Sequence, residues 1–218
     1  MRGDQADDLA LVILDCDGVL FDSYEANVHF YDSILAQMGQ PLLDAGGREL
    51  AHRLATPQLF AHLFATEPEL LARSLQVARR TDYTSSLLLM RPVPGLVETL
   101  DWIGARYRTA LATNRGRTIP DLLRHFDLGR YFELVVGIED VARPKPAPDM
   151  LVRCLEHFTT APARAIYVGD SPTDLEAARA AGTRFVAIGD AVEHETRLGS
   201  LAELRGFLEA PGASPATA

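Results

Sequence analysis

A short apolar run that ends in two closely spaced carboxylates constrains this chain more than any other feature. The run LALVIL, residues 9–14, leads directly into Asp15-Cys16-Asp17-Gly18. The run is too short for a helix and has no polar alternation, which is typical of a strand buried on both faces of a parallel sheet. Ligands of open α/β sheets bind outside the carboxyl ends of the strands. The sequence therefore predicts a ligand site at Asp15 and Asp17.

The two carboxylates need a positive partner. Unneutralised carboxylates this close raise each other's pKa, so a bound divalent cation is the natural counter-charge near pH 7. Gly18 permits the tight turn that aims both side chains at one point. An acidic turn that only caps the next helix is the alternative interpretation. A calcium loop is excluded, because its pattern needs an oxygen ligand at the position of Val19 and its glycine one residue later.

The overall composition excludes several classes of protein. The net charge of −9 over 218 residues disfavours a nucleic-acid-binding surface. The two cysteines, Cys16 and Cys154, lie far apart, which favours a reducing cytosol over a disulfide framework or a zinc site. We see neither a signal peptide nor an apolar segment long enough for a bilayer. We therefore expect a cytoplasmic protein without nucleic-acid or membrane partners, and the oligomeric state stays open.

The rest of the chain alternates between predicted helices and strands, except for one long helical stretch. Residues 22–38 are helix-like, and residues 44–90 show no strand signal and are dominated by Ala, Leu, Arg, Glu and Gln. Residues 22–90 are therefore predicted to form a helical bundle inserted after the first strand. Further strands are predicted at 108–113, 132–136, 165–169 and 184–188, separated by helices. This rhythm requires right-handed crossovers and an α/β fold with a parallel sheet covered on both faces.

Polar residues follow two later strands at their carboxyl ends. Thr113 and Asn114 can hydrogen-bond a phosphoryl oxygen together with backbone N–H groups, although a helix cap is the commoner role of such a pair. Asp170 follows another buried strand and is placed to bind the cation. Asp174, one helical turn further, can support the cation through water or hold a lysine. Helix capping is the alternative for Asp170, but it does not require both acids.

Lys145 is the only lysine in the chain, against 20 arginines. It lies between Pro144 and Pro146, which restrict its backbone. Since arginine serves wherever this chain needs a generic positive charge, the lysine points to a role for a compact ammonium. Such a point charge suits a site with several carboxylates and an incoming anion. A solvated surface turn is the alternative interpretation.

Together these motifs resemble the haloacid dehalogenase superfamily, in its phosphatase-like branch with a helical C1 cap. The resemblance rests on D-x-D-G, the strand-end threonine, the proline-flanked lysine and G-D-x-x-x-D, in this order, and it covers nearly the whole chain. It implies a Rossmann-like three-layer core of residues 1–21 and 91–218, with a helical cap of residues 22–90. It also implies Mg²⁺ as cofactor and a small phosphorylated metabolite as substrate.

The resemblance also implies roles for individual residues. Asp15 is the expected nucleophile, which forms an aspartyl-phosphate, and Asp17 is the expected general acid and base. Catalysis further involves Thr113 and Lys145, which are expected to bind the phosphoryl oxygens with Asn114. The expected metal-binding residues are Asp15, Asp17 through its backbone carbonyl, Asp170 and Asp174.

Differences between this sequence and other branches of the superfamily exclude several of the functions found in it. Haloacid dehalogenases themselves lack the second aspartate and need no metal, so Asp17 with Asp170 argues against them. Residues 22–90 contain no lysine, which excludes the Schiff-base chemistry of phosphonate-cleaving members. Transport ATPases are far longer and carry threonine at the position of Asp17. A phosphomonoester hydrolase of the phosphoglycolate phosphatase type is expected. A mutase of the β-phosphoglucomutase type is the alternative, and a non-catalytic phosphate-binding or interaction protein is the alternative of another class.

The cap is expected to select the substrate. Polar candidates on its helices are Tyr24, Asn27, Arg48, His52 and Arg53, of which Arg48 and Arg53 are the predicted substrate-binding residues. Solvated helix faces commonly carry such residues, which is the alternative interpretation. Linkers near residues 21–23 and 91–94 predict a hinge whose closure expels water. The physiological substrate is not readable from these residues.

Overall fold

The structure is a computed structural model, and it describes residues 9–210. Within this range the chain divides into two compact units. An α/β unit comprises residues 9–22 and 92–210, and a helical unit comprises Ser23–Arg91. The predicted core also includes residues 1–8 and 211–218, which lie outside the described range. That the helical unit is a substrate-selecting cap stays a prediction.

The described residues form eight strands and ten α-helices. The strands are β1 (Leu11–Leu14), β2 (Phe21–Asp22), β3 (Arg91–Pro92), β4 (Arg108–Ala112), β5 (Leu134–Val136), β6 (Ala165–Gly169), β7 (Arg184–Ile188) and β8 (Arg197–Leu198). The helices are α1 (Tyr24–Gln37), α2 (Ala45–Arg53), α3 (Thr56–Leu63), α4 (Pro68–Ala78), α5 (Thr84–Leu87), α6 (Leu96–Gly104), α7 (Ile119–His125), α8 (Asp149–Phe158), α9 (Pro172–Ala181) and α10 (Glu203–Glu209). Between residues 9 and 210, none of these helices has both the length and the apolar character to cross a bilayer.

A six-stranded parallel sheet forms the centre of the α/β unit, which confirms the predicted fold class. Its strand order is β5-β4-β1-β6-β7-β8, so the first strand of the chain lies in the middle. Leu11 of β1 aligns with Arg108 of β4 and with Ala165 of β6. The regular ladder begins at Leu11, later than the predicted start, although Ala10 still donates its N–H to the carbonyl of Arg164. This order puts the end of β1 between the ends of β4 and β6.

Both faces of the sheet are covered, as the uninterrupted apolar strands predict. Leu11 and Ile13 pack in one cluster with residues of α8 and α9, among them Met150 and Ala178. Val12 and Leu14, which point to the opposite face because strand side chains alternate, are also fully buried. A charged side chain inside a strand buried on both sides would lose its hydration, so the acids follow β1 at its carboxyl end.

The helical unit has a core of its own, in which α1 packs against α2, α4 and α5. Aromatic rings dominate its centre: Phe30 lies 5.1 Å from Tyr83 and 5.4 Å from Tyr31, between ring centroids. Pro68 occupies the first position of α4, where its missing N–H leaves no helical hydrogen bond unmade.

Candidate active site

Three strand ends bring the predicted acids, threonine and amide of the α/β unit to one edge of the sheet. Asp15 directly follows β1, and its N–H donates to the carbonyl of Val168 on β6 at 2.9 Å. Thr113 directly follows β4, and Asp170 directly follows β6. Since β1, β4 and β6 are neighbouring parallel strands, these residues share the carboxyl edge of the sheet.

The turn after β1 depends on a glycine. Gly18 has φ +73°, and its N–H donates to the carbonyl of Phe21 at 2.8 Å. A Cβ atom at this position would lie 1.8 Å from Oδ2 of Asp170. Only glycine therefore allows both the turn and the close approach of the Asp170 carboxylate.

Asp15, Asp170 and Asp174 form a cluster that can hold a metal ion. Their ligand oxygens all lie within 4.8 Å of one another. Burial, followed by the negative charges of neighbouring carboxylates, raises the pKa of Asp170 to about 8. Burial also raises the pKa of Asp15 to about 7, because desolvation and the carboxylates of Asp174 and Asp17 outweigh the attraction of Lys145. The cluster therefore carries more negative charge than its positive neighbours neutralise, and its hard oxygen donors fit Mg²⁺.

The ammonium of Lys145 is buried among four acceptors. Its Nζ lies 2.8 Å from Oδ1 of Asp15, 2.7 Å from Oδ1 of Asp174 and 2.9 Å from the hydroxyl of Tyr167. The carbonyl of Ala112 is a longer contact at 3.4 Å. Although burial alone lowers the pKa of Lys145, its two carboxylate partners hold that pKa above its ordinary value. Lys145 is therefore charged in this site, and it is not a solvated turn residue.

Asp174 holds Lys145 with one oxygen and caps a helix with the other. Its Oδ1 contacts Lys145 Nζ, and its Oδ2 accepts the N–H of Ser171 at 3.1 Å at the start of α9. Ser171 in turn accepts the N–H of Asp174, so the two form a capping box. Burial alone would raise the pKa of Asp174, but Lys145 and these hydrogen bonds hold it below its ordinary value. Of the two predicted uses of Asp174, the structure shows the contact with the lysine.

Thr113 and Asn114 organise the loop that follows β4. The Thr113 hydroxyl oxygen accepts the N–H of Arg115 at 3.2 Å and keeps its own proton for another acceptor. The Asn114 side chain makes two hydrogen bonds to the backbone of Lys145, donating to its carbonyl at 3.1 Å and accepting its N–H at 3.0 Å. Asn114 therefore attaches the lysine loop to the end of β4.

Arg115 is a site residue that the sequence reasoning missed. Its Nε donates to Oδ2 of Asp17 at 2.7 Å and its Nη2 donates to Oδ1 at 2.6 Å. The chain has 20 arginines, so the composition does not single out Arg115 as it singles out the one lysine. Its position directly after the strand-end Thr-Asn pair was the signal that could have identified it.

Tyr167 is a second missed residue. It lies inside β6 and is fully buried, and its hydroxyl contacts Lys145 Nζ and, at 2.7 Å, Oδ1 of Asp174. Burial and the charge of Asp174 raise the pKa of this phenol well above its ordinary value, so the hydroxyl stays protonated. A tyrosine in a strand buried on both faces needs a partner for its hydroxyl, and that need was the available signal.

The two arginines predicted to bind substrate belong to the helical unit. Arg48 and Arg53 lie on α2, and Nη2 of Arg48 is 3.8 Å from Oδ2 of Asp32. Both residues are exposed or half-buried, as expected for a helix face in water. Their role in substrate binding stays a prediction.

Comparison with known proteins gives matches over most of the chain. Residues 12–188 match the family model described as haloacid dehalogenase-like hydrolase. Phosphoglycolate phosphatase 1 of Pseudomonas aeruginosa is 32% identical over 195 residues, which cover 84% of this chain and 71% of that protein. Phosphoglycolate phosphatase of Nitrosococcus oceani is 30% identical over 195 residues, which cover 84% of this chain and 85% of that protein.

A solved structure agrees with the sequence matches. The crystal structure of a HAD-superfamily hydrolase, subfamily IA, variant 1, from Geobacter sulfurreducens superposes with a TM-score of 0.74 at 36% sequence identity. The superposition covers 92% of this chain and 96% of that chain.

Proposed function

The chain belongs to the haloacid dehalogenase-like hydrolase family and is a phosphatase of that family, and from this premise we propose a magnesium-dependent phosphomonoester hydrolase that works through an aspartyl-phosphate. One observation carries the proposal: the buried Asp15 carboxylate, directly after β1, belongs to the acid cluster and also contacts the ammonium of Lys145. The substrate is a small phosphorylated metabolite. Phosphoglycolate is our first candidate, because it is the substrate named for the relatives.

In the first half-reaction, a carboxylate oxygen of Asp15 attacks phosphorus. The bond from phosphorus to the leaving oxygen breaks, and that oxygen takes a proton from the Asp17 carboxyl group. In the second half-reaction, water attacks the same phosphorus and gives a proton back to Asp17. The bond between phosphorus and Asp15 breaks, which releases inorganic phosphate and restores both aspartates.

Fixed donors stabilise the charge of the transferring phosphoryl group. We assign this role to Lys145 Nζ, the Thr113 hydroxyl and backbone N–H groups of the loop after β4. The backbone and the ammonium of Lys145 are already held in place by the hydrogen bonds to Asn114 and Asp15, and such preorganised donors need little rearrangement during the reaction.

The proposed magnesium ligands are Asp15, Asp170 and the backbone carbonyl of Asp17. Bound there, the cation supplies charge neutralisation for the phosphoryl oxygens and for the acid cluster. The missing side chain at Gly18 leaves the space into which the Asp170 carboxylate extends. We assign Asp174 to Lys145 and Ser171, since both of its oxygens are engaged by them.

A panel of small phosphate esters, assayed for inorganic phosphate with Mg²⁺ and with chelator, tests this function. We expect saturable turnover that stops in chelator, and Asp15→Asn should abolish it while the protein stays folded, because the amide cannot attack phosphorus. Asp149→Asn is the matched control and should keep wild-type activity, because Asp149 is a 20% exposed acid that pairs with the exposed Arg143. Product analysis with sugar phosphates separates the mutase alternative, which interconverts isomers without net phosphate release. Binding of phosphate without turnover would support the non-catalytic alternative.

A further inference from the structure

We propose that Arg115 is the positioning residue for the carboxylate of Asp17, and that proton transfer at the leaving oxygen depends on the pair. The inference rests on the proposed function, because it assigns Asp17 as the acid and base. Arg115 was not among the predicted site residues, and its contact with Asp17 depends on the folded loop after β4.

The contact between the two residues is bidentate and shielded from water. Each carboxylate oxygen of Asp17 accepts one N–H of the guanidinium, at 2.6 and 2.7 Å. The side chain of Arg115 is 7% exposed and that of Asp17 is 19% exposed. In contrast, the side chains of the Arg124 and Asp121 pair on α7 are 75% and 52% exposed, where water and salt weaken such contacts. The contact with Arg115 therefore restrains the orientation of the Asp17 carboxylate more strongly than the exposed contact with Arg124 restrains Asp121.

Arg115 is itself fixed to the phosphate-binding loop. Its backbone N–H donates to the Thr113 hydroxyl, and its carbonyl accepts the N–H of Ile138 at 3.0 Å. Gly137 packs so closely that a Cβ there would lie 2.8 Å from the Arg115 carbonyl oxygen. The guanidinium thus extends from a rigid support that also carries Thr113, and this couples the position of Asp17 to that of the phosphoryl group.

The guanidinium contacts the side chain of Asp17, whereas Phe21 contacts its backbone. The backbone of Asp17 forms an isolated bridge with Phe21, and the two hydrogen bonds from Arg115 restrain χ1 and χ2 of the aspartate. The guanidinium uses one lone pair on each oxygen, and a carboxylate oxygen has two such acceptor sites. A lysine at position 115 would preserve the charge but not the two parallel hydrogen bonds.

The first experiment compares two substrates in Arg115→Met and Arg115→Lys. The leaving oxygen of an alkyl phosphate needs a proton. Nitrophenyl phosphate releases nitrophenolate, which is a stable anion and needs no proton to leave. The ratio kcat/KM reports only steps up to departure of the leaving group, so later hydrolysis does not obscure it. We expect Arg115→Met to lower kcat/KM for the alkyl phosphate about 10- to 100-fold more than for nitrophenyl phosphate, a part of the usual contribution of a general acid.

For the alkyl phosphate, kcat/KM of Arg115→Lys should lie between the values of the wild type and Arg115→Met. Arg124→Met, which removes an exposed arginine, should leave kcat/KM unchanged for both substrates. If the role of Arg115 were purely structural, Arg115→Met would lower kcat/KM for both substrates by the same factor, and that result overturns the proposal. If Arg115→Met does not fold, as judged by thermal unfolding, the same ratio in Arg115→Lys decides.

A second measurement tests whether Arg115 acts through Asp17. In the Asp17→Asn background, Arg115→Met should change the ratio between the two substrates less than twofold, because the acid is already gone. A full additional effect in that background overturns the proposal. Failure of the proposed function has a different signature, since wild-type protein would then release no phosphate from either substrate.

Discussion

The Nζ of Lys145 lies 2.8 Å from Oδ1 of Asp15, although 130 positions separate the two residues in the chain. Their side chains are only 3% and 8% exposed, so the contact is shielded from water. The proposed nucleophile and the proposed phosphate-binding cation are thus brought together where two loops meet at the edge of the sheet.

Lys145→Arg should cause a large loss of activity although it keeps the charge. A planar guanidinium is too wide for the position between Asp15, Asp174 and the Tyr167 hydroxyl, and it cannot replace a point charge. We expect kcat/KM to fall at least about 100-fold, as when a donor that stabilises the transition state is removed. Arg143→Lys, the opposite exchange at a 70% exposed side chain two residues earlier, should keep near wild-type activity. Equal activity in both variants would contradict the buried role of Lys145.

Gly18→Ala should remove the metal site through a steric clash. Its new Cβ would lie 1.8 Å from Oδ2 of Asp170, and the φ of +73° adds backbone strain. Gly39→Ala is the matched control, because Gly39 has φ +69° but no neighbouring atom within 4 Å of the added Cβ. Both variants should lose about 1 to 2 kcal/mol of stability through strain. Only Gly18→Ala should lose Mg²⁺ binding, as measured by calorimetry. Retained Mg²⁺ affinity in Gly18→Ala would show that Asp170 is not a ligand.

Much of this site can be predicted from the sequence. The residue that follows a buried parallel strand lies at the carboxyl edge of the sheet, and the end of such a strand can be read from the chain. A buried strand that ends in Asp15 or Asp170 puts its acid at the carboxyl edge whatever the helices do. The orientations of Arg115 and Tyr167 depend on three strands and two loops at once, which no local pattern encodes. The short strand β8 has only two residues, Arg197 and Leu198, too few to show periodicity.

Mg²⁺ binding should depend on pH between about pH 6 and about pH 9. The raised pKa values of Asp15, about 7, and Asp170, about 8, lie above those of an unfolded chain. At these two carboxyl groups the metal-free folded protein therefore binds more protons than the unfolded chain between about pH 4 and pH 8, and their contribution to the unfolding free energy falls as the pH rises through this window. Mg²⁺ must displace these protons, so its affinity should rise with pH by up to about tenfold per unit for each proton.

Thermal unfolding with Mg²⁺ and with chelator measures this linkage. The gain in Tm from Mg²⁺ should increase from about pH 6 to about pH 9, and Asp170→Asn should flatten the increase because one titrating ligand is gone. A gain in Tm that is independent of pH would contradict the assignment of Asp15 and Asp170 as ligands.

Tyr167→Phe tests whether the buried hydroxyl supports Lys145 or only the fold. Its matched control is Tyr131→Phe, because the Tyr131 hydroxyl also accepts from a cation, Arg130 Nη2 at 3.1 Å, and donates to a carboxylate, Asp101 Oδ1 at 2.9 Å. Each variant should lose about 1 to 3 kcal/mol of unfolding free energy, since each leaves partners without a hydrogen bond. Only Tyr167→Phe should also lower kcat, because Lys145 Nζ then loses the oxygen that orients its third proton. If both variants lose stability and neither loses activity, the contacts with Asp15 and Asp174 alone are sufficient to position the ammonium.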